Sequence, residues 1–208
     1  MIGDEEGARR FCGERTDAAG LDKLDKLAAL LREENAKQNL VSSASLDNVW
    51  LRHFADSLQL ADHGLPHAGP LLDLGSGAGF PGLPLAIARP MSEVALIESR
   101  KRRVEWLGRC IEALELRNCR VLASRLESVD TVHAGAITAR AFAPLGKLLR
   151  LSARFSTPAT VWLLPKGRSA AQELAEQPMS VRQMFHVEQS ATDAGGGILI
   201  GRGVPPTS

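Results

Sequence analysis

The sequence has no apolar run approaching the length of a membrane span, and no apolar core follows the charged opening "MIGDEEGARRFCGERTD". A spanning helix needs about 20 apolar residues and a signal peptide needs an apolar centre. A cytoplasmic protein with no membrane partner is therefore expected. Cysteine is scarce: Cys12, Cys110 and Cys119 are widely spaced and form no C-x-x-C pair. That removes the usual zinc and redox motifs, so free thiols and no metal site are expected. Charge of either sign is also nearly balanced, at a net +1, which argues against a strongly basic nucleic-acid binder. Internal repeats and low-complexity segments are missing too.

What is there divides unevenly. Residues 1–70 hold 8 Lys/Arg against 12 Asp/Glu, leaving 17 against 12 in the remainder. The basic surplus thus belongs to the second part, which is compatible with an anionic partner without requiring one. At 208 residues the chain suits one compact domain with an appended element. The expected division is a helical extension over 1–68 and a main domain over 69–208.

Residues 1–19 lack clear periodicity and read as a loose end or a poorly formed first helix. Leucines at 21, 24, 27, 30 and 31 keep helical spacing, predicting a helix that ends near Asn39. Trp50, Phe54 and Leu58 recur every fourth residue and predict a second helix, begun after Ser45 and stopped by "HGLPHAGP". From Leu71 the pattern becomes short apolar runs alternating with helical segments, the signature of a parallel sheet with crossover helices. Seven runs read as strands: "LLDL", "EVALIE", "CRVLAS", "GAITAR", "TVWLLPK", "VRQMFHVEQ" and "GILIGR". The last two, joined by "SATDAGGG", read as a terminal hairpin. Between the second and third strands, Val104, Leu107, Ile111 and Leu114 predict one buried helix stripe.

The first strand runs directly into "DLGSGAGFPG". Gly75, Gly77 and Gly79 between a strand and a helix let the chain turn sharply and leave backbone N–H groups open to a ligand. Glycine clusters alone often mark an empty turn; the strand before and helix after favour a nucleotide-like ligand. Dinucleotide enzymes use G-x-G-x-x-G/A, and here the sixth position is Phe80, a poor fit to close helix–strand packing. Asp73 precedes the turn and Glu98 ends the next strand, where a carboxylate can accept from two ribose hydroxyls. An adenosine ligand without a pyrophosphate fits best, and S-adenosylmethionine is such a ligand.

These segments, with "NLVS" at 39–42, "RHFADS" at 52–57, "SRLE" at 124–127, "ARAFAPL" at 139–145 and "LPKG" at 164–167, occur in the order seen in a known family. From Asn39 to Gly167 the chain resembles glucose-inhibited division protein B, the bacterial guanine-N7 methyltransferase of 16S ribosomal RNA. The resemblance implies an α/β fold: a seven-stranded, Rossmann-like S-adenosylmethionine-dependent methyltransferase sheet with a short helical N-terminal extension. It implies that Gly75, Phe80, Glu98, Leu126, Glu127 and Arg140 surround S-adenosyl-L-methionine. Its substrate would be 16S ribosomal RNA or the small ribosomal subunit, and the chain is expected to work as a monomer. Asn39, Arg52, His53, Lys101, Arg102 and Lys166 are candidates for RNA contact, phosphate neutralisation being the main source of non-specific affinity. For the basic run at 100–103 a solvated helix start weighs equally. His53 and Asp56, three residues apart on one helix, are expected to pair.

The fourth-strand segment narrows the chemistry. "ARAFAPL" replaces the D/N-P-P-aromatic motif of exocyclic-amine methyltransferases, and no cysteine is placed to attack a pyrimidine. Guanine N7 has a lone pair and no proton, so alignment suffices and no general base is nominated. The rival readings are a methyltransferase of the same fold with another RNA or small-molecule substrate and a non-catalytic nucleotide-binding module. A nicotinamide enzyme is disfavoured by Phe80.

Overall fold

The computed structural model describes residues 1–65 and 69–206. Of the two readings of residues 1–19, the helix is the one found: α1 (Glu5–Gly13) is regular and capped rather than loose or poorly formed. Asp4 caps it by accepting from Gly7 N at 2.7 Å, and Glu5 and Glu6 sit in its first turn, where acidic residues complement the helix dipole. Ala8 and Cys12, one turn apart, are its buried face. Helix α2 (Ala18–Asn35) starts at an Asp17 cap and buries Leu24, Leu27 and Leu31. It stops at Asn35 rather than near Asn39, because Asn35 Oδ1 accepts from the backbone N–H groups of Leu40 (2.8 Å) and Val41 (3.0 Å). That side chain supports the loop in place of another helical turn.

The expected second helix is broken into pieces. A short α3 (Ser43–Leu46) is followed by a π-helical turn over Trp50–Ala55, a single α-turn α4 (Asp56–Leu58) and a 3₁₀ turn over Gln59–His63. Glu5 of α1 explains the interruption: its carboxylate accepts from Trp50 N (3.1 Å) and Leu51 N (2.7 Å), taking donors that would otherwise be left open. Such π-turns are rare and concentrate at functional sites. The stop expected over 63–70 and the division expected between 68 and 69 fall on or beside residues 66–68, which lie outside the described residues.

The remaining elements alternate: β1 (Leu71–Leu74), α5 (Gly82–Ala88), β2 (Val94–Glu98), α6 (Lys101–Ala113), β3 (Cys119–Ala123), β4 (Ala136–Thr138), α7 (Leu145–Ser152), β5 (Val161–Gly167), α8 (Ala170–Ala175), α9 (Met179–Arg182), β6 (Phe185–Gln189) and β7 (Gly197–Arg202). The sheet order is β3-β2-β1-β4-β5-β7-β6. Neighbours from β3 to β5 run parallel, and β7 runs antiparallel to both β5 and β6. Each of the seven expected runs holds a strand. "VRQMFHVEQ" is one only from Phe185, because its first residues complete α9, where Val181 is buried.

Helix α6 differs from expectation in its facing. It buries Trp106, Leu107 and Cys110, while Val104 and Ile111 are half-buried. Turning Trp106 inward removes the largest apolar area from water. One face of the sheet packs with the extension, joining Leu24, Leu31, Phe54 and Leu58 to Leu83, Leu96 and Trp106. The other face packs Leu72, Ile97 and Ile137 with Leu148, Phe155 and Trp162. Strand order reverses between β1 and β4, which opens a crevice at the carboxyl ends of those strands. No helix among the described residues is long and apolar enough to cross a membrane.

Candidate functional site

The glycine turn closes over the carboxyl end of β1. Gly75 N and Ser76 N donate to Ile97 O (2.8 and 3.1 Å), and Trp106 Nε1 donates to Ala78 O (3.0 Å). Gly75 has φ 67°, and a Cβ there would run into the Phe142 ring. Close helix–strand contact falls at Gly82, where a Cβ would meet Asp73 Oδ2 at 2.7 Å and the Leu96 side chain. Phe80 is thereby released from the packing role that a dehydrogenase gives its third glycine. Its ring turns to the extension, stacking on His53 with centroids 4.7 Å apart and meeting Phe54 at 6.0 Å.

A groove of about 420 Å³ opens above this turn. Of the residues expected to hold a cofactor, Gly75, Gly77, Phe80, Glu98, Leu126 and Arg140 line it, together with Val41, Arg103 and Phe142. Glu98 is buried; its Oε1 accepts from Ser99 N and Arg100 N (both 2.8 Å) and its Oε2 from Gly77 N (3.1 Å). A carboxylate has about four acceptor sites, so three backbone donors fix its position without exhausting it. Asp73 stands below the groove, fully buried. Its Oδ2 accepts from Gly82 N (3.2 Å), its Oδ1 has no partner among the described residues, and burial pushes the carboxyl up to about 6. Asp73 therefore braces the turn and does not line the groove. Glu127 lies exposed in a 3₁₀ turn over Leu126–Ser128 and is also off the lining.

A second groove, of about 830 Å³, is lined by Arg52, His53, Asp56, Lys166, Glu173 and Asp193, among others. The two grooves share one wall, Arg140, Ala141 and Phe142. Ala141 has φ 52°, a left-handed conformation that costs an L-residue about 1–2 kcal/mol. Such strain persists only where the surroundings hold it.

Arg140 joins the extension to the sheet. It donates to Asp56 Oδ2 (3.4 Å), Arg52 O (3.3 Å) and His53 Nδ1 (3.1 Å). The expected His53–Asp56 pair is thus replaced by two separate links to Arg140. Asp56 turns its Oδ1 to Thr192 Oγ1 (2.9 Å) and Gln59 Nε2 (3.0 Å). Arginine only donates, so His53 Nδ1 is bare and its proton is on Nε2. Burial first, then the charges of Arg140 and Arg52, lower the His53 pKa to about 3.

The RNA candidates separate into two groups. Arg52, His53 and Lys166 meet at the second groove. Lys166 Nζ donates to Ala143 O (2.8 Å) and pairs with Glu173 (3.0 Å), and Arg52 faces Asp193 at 3.7 Å. Asn39, Lys101 and Arg102 lie elsewhere. Arg102 donates to Lys37 O (2.9 Å) and Arg103 to Asn39 O (2.7 Å), fastening the loop at 37–40 to α6, while Lys101 is exposed at the helix start. Sequence reasoning missed Phe142, Asp193 and Glu173 in the grooves. Phe142 sits inside the quoted "ARAFAPL" and Glu173 follows "LPKG" by one short turn, so their signals were near at hand; Asp193 reaches Arg52 only through the sheet order.

A family model described as rRNA small subunit methyltransferase G matches residues 20–197. Ribosomal RNA small subunit methyltransferase G of Erythrobacter litoralis is 58% identical over 203 residues, covering 98% of each chain. The protein of the same name from Novosphingobium aromaticivorans is 52% identical over 89% of this chain and 82% of its own. A solved methyltransferase from Geobacter sulfurreducens shares the fold at TM-score 0.59 and 12% identity, covering 85% of this chain and 90% of that one. A SAM-dependent methyltransferase from Aquifex aeolicus matches at TM-score 0.57 and 16% identity, over 85% and 98%. The chain belongs to the rRNA small subunit methyltransferase G family.

Proposed function

We propose that the chain transfers a methyl group from S-adenosylmethionine to N7 of a guanine in 16S ribosomal RNA. The observation that carries this reading is the wall of Arg140, Ala141 and Phe142 common to both grooves, which lets a donor in one meet a base in the other. The smaller groove, about 420 Å³, lies in the usual range for small-molecule sites, about 300–1,000 Å³. Its chemistry fits the donor. Glu98 would accept from the ribose hydroxyls, Ile97 and Leu126 would flank adenine, and the backbone at 75–77 and the charge of Arg140 suit the amino-acid end.

When bound, S-adenosylmethionine supplies an electrophilic methyl on sulfonium. As the bond from N7 to carbon forms, the carbon–sulfur bond breaks, its electron pair stays on sulfur, and the positive charge passes to the base. No proton moves, so the chain's own work is alignment and a tolerant electrostatic setting. Asp193 and Glu173 in the second groove suit a base becoming cationic. The covalent pyrimidine route finds no support: Cys12, Cys110 and Cys119 are all buried, and burial pushes the thiols of Cys12 and Cys119 up to about 12. Arg52, exposed at the groove, would meet an RNA phosphate, while Lys166, held by Ala143 O and Glu173, would shape the groove wall. The proposal takes the chain to act as a cytoplasmic monomer.

Incubation with labelled S-adenosylmethionine and small subunits, protein-free 16S RNA or transfer RNA, followed by chemical cleavage at N7-methylguanine, tests it. Label at one 16S guanine N7 is expected. Label confined to transfer RNA or to protein would refute the reading.

A further inference from the structure

The chain is poor in surfaces on which a base could stack. It has no tyrosine, six phenylalanines and three tryptophans. Phe54, Phe80, Phe155, Phe185, Trp50, Trp106 and Trp162 are buried in the two cores. Phe11 is half-buried but lies under the Arg15 guanidinium, 3.3 Å from the ring centroid. Phe142 is the remaining aromatic, half-buried and lining both grooves. The imidazole of His53 also borders the second groove, but it is 5% exposed and stacked against Phe80.

An enzyme acting on a base inside folded RNA has to draw that base from its stack and replace the lost contact. Phe142 is the one ring among the described residues positioned to supply it. The local build holds it there: Gly75 lacks the Cβ that would collide with the ring, and Ala141, immediately before it, keeps φ at 52°. A left-handed alanine is not needed to fill a core with a phenyl ring, since α and β conformations would present one too. It marks a ring whose place on the wall between the grooves is specified.

Resting on the guanine-N7 reading above, we infer that Phe142 is the surface on which the target guanine stacks once it leaves the RNA, held at the boundary between the donor groove and the RNA groove. The contact uses the face of the base and is indifferent to its hydrogen-bonding edge. Phe142 therefore retains and aligns the base, and its ring is the part that matters.

The test compares the wild type with Phe142→Leu, which keeps apolar bulk without a ring, and Phe142→Tyr, which keeps the ring. Each is assayed on small subunits with labelled S-adenosylmethionine. Each is also bound to subunits whose 16S RNA, joined by ligation, carries fluorescent 2-aminopurine at the methylated position. For Phe142→Leu, kcat/KM should fall about 10- to 100-fold, the range of one base–aromatic stack, with calorimetric S-adenosylmethionine affinity unchanged. The Tyr variant should stay near wild type. Bound 2-aminopurine should be quenched by wild type and Tyr and brighter with Leu. A Leu variant with wild-type kcat/KM or wild-type emission overturns the assignment. So does a loss matched by lost S-adenosylmethionine affinity, or inactivity of a folded Tyr variant. A wild type that leaves no label on guanine N7 refutes the parent reading, whereas normal wild-type label with an unaffected Leu variant refutes the stacking role alone.

Discussion

Arg140 Nη2 lies 3.1 Å from His53 Nδ1, so a residue following β4 reaches across the crevice to the π-turn of the extension. This contact decides the imidazole's tautomer and places the guanidinium between the two grooves. Arg140→Ala should abolish most turnover, a loss of at least about 100-fold, because small misplacements at a site of alignment chemistry are that costly. Stability should drop by about 1–3 kcal/mol, the worth of charge-assisted hydrogen bonds, so the chain stays folded. Kinetics and urea denaturation check the two halves; unchanged kcat/KM would remove Arg140 from the site. The His53 pKa should also rise in this variant, since Arg140 is the second cause of its depression; NMR titration reads that shift.

Glu98→Gln should weaken S-adenosylmethionine binding by about 10-fold or more, as removing the charge from a hydrogen-bonded acceptor costs about 1.5–3 kcal/mol. Glu98 is fixed by the backbone N–H groups of Gly77, Ser99 and Arg100. The amide can accept from some of these, but its NH₂ faces donors. Calorimetry with wild-type affinity in the variant would show that Glu98 only ties the glycine turn to the backbone at Ser99 and Arg100.

Asp73 and His53 make stability respond to pH in opposite directions. Burial raises the Asp73 pKa from 3.8 to about 6, so the native state binds the extra proton between those values. Stability from this group is full below pH 3.8 and declines as pH rises to about 6, by about 3 kcal/mol at 1.36 kcal/mol per unit. His53, lowered from 6.5 to about 3, works in reverse: stability is full above 6.5 and lost as pH falls. Asp73→Asn should erase the first limb and leave the second. Denaturation curves across pH 4 to 7 for the two proteins should therefore diverge with rising pH, and parallel curves would contradict the Asp73 assignment.

The central strands were legible because they are buried on both faces and bounded by turn residues; β1 shows this most clearly, where "LLDL" meets the glycine turn. Glu98 was legible for a related reason, since a carboxylate at the end of β2 has one sheet edge to serve. The extension was harder. Its fourfold spacing of Trp50, Phe54 and Leu58 signals a regular helix, but the interruption comes from Glu5, 45 and 46 residues distant. No local pattern carries such a contact. Asp73 illustrates the same limit within a motif: its position before the turn suggests a ligand contact, whereas Gly82 lets α5 come close enough to bury it. Asp193, in the connection between β6 and β7, meets Arg52 of the extension only through the sheet order, whereas Glu173 meets Lys166 through the short turn from β5 into α8.

Trp106 is the strongest test of how the turn itself is held. Its indole is buried in α6 and its Nε1 donates to Ala78 O at 3.0 Å, between Gly77 and Gly79 in the middle of the turn. Trp106→Phe removes that donor, leaves a buried carbonyl short of a partner and opens space where the larger ring stood. The unpaired group alone costs about 1–3 kcal/mol, and the added void brings the expected loss to about 2–4 kcal/mol. If Trp106 served only as core filling, the lost stability would leave binding by the folded fraction unchanged. If it holds the turn, S-adenosylmethionine affinity should fall several-fold below the unfolding transition, because Gly75 and Gly77 are no longer fixed beside Glu98. Calorimetry at a temperature where both proteins are fully folded separates these outcomes, and wild-type affinity in the variant would confine Trp106 to the core.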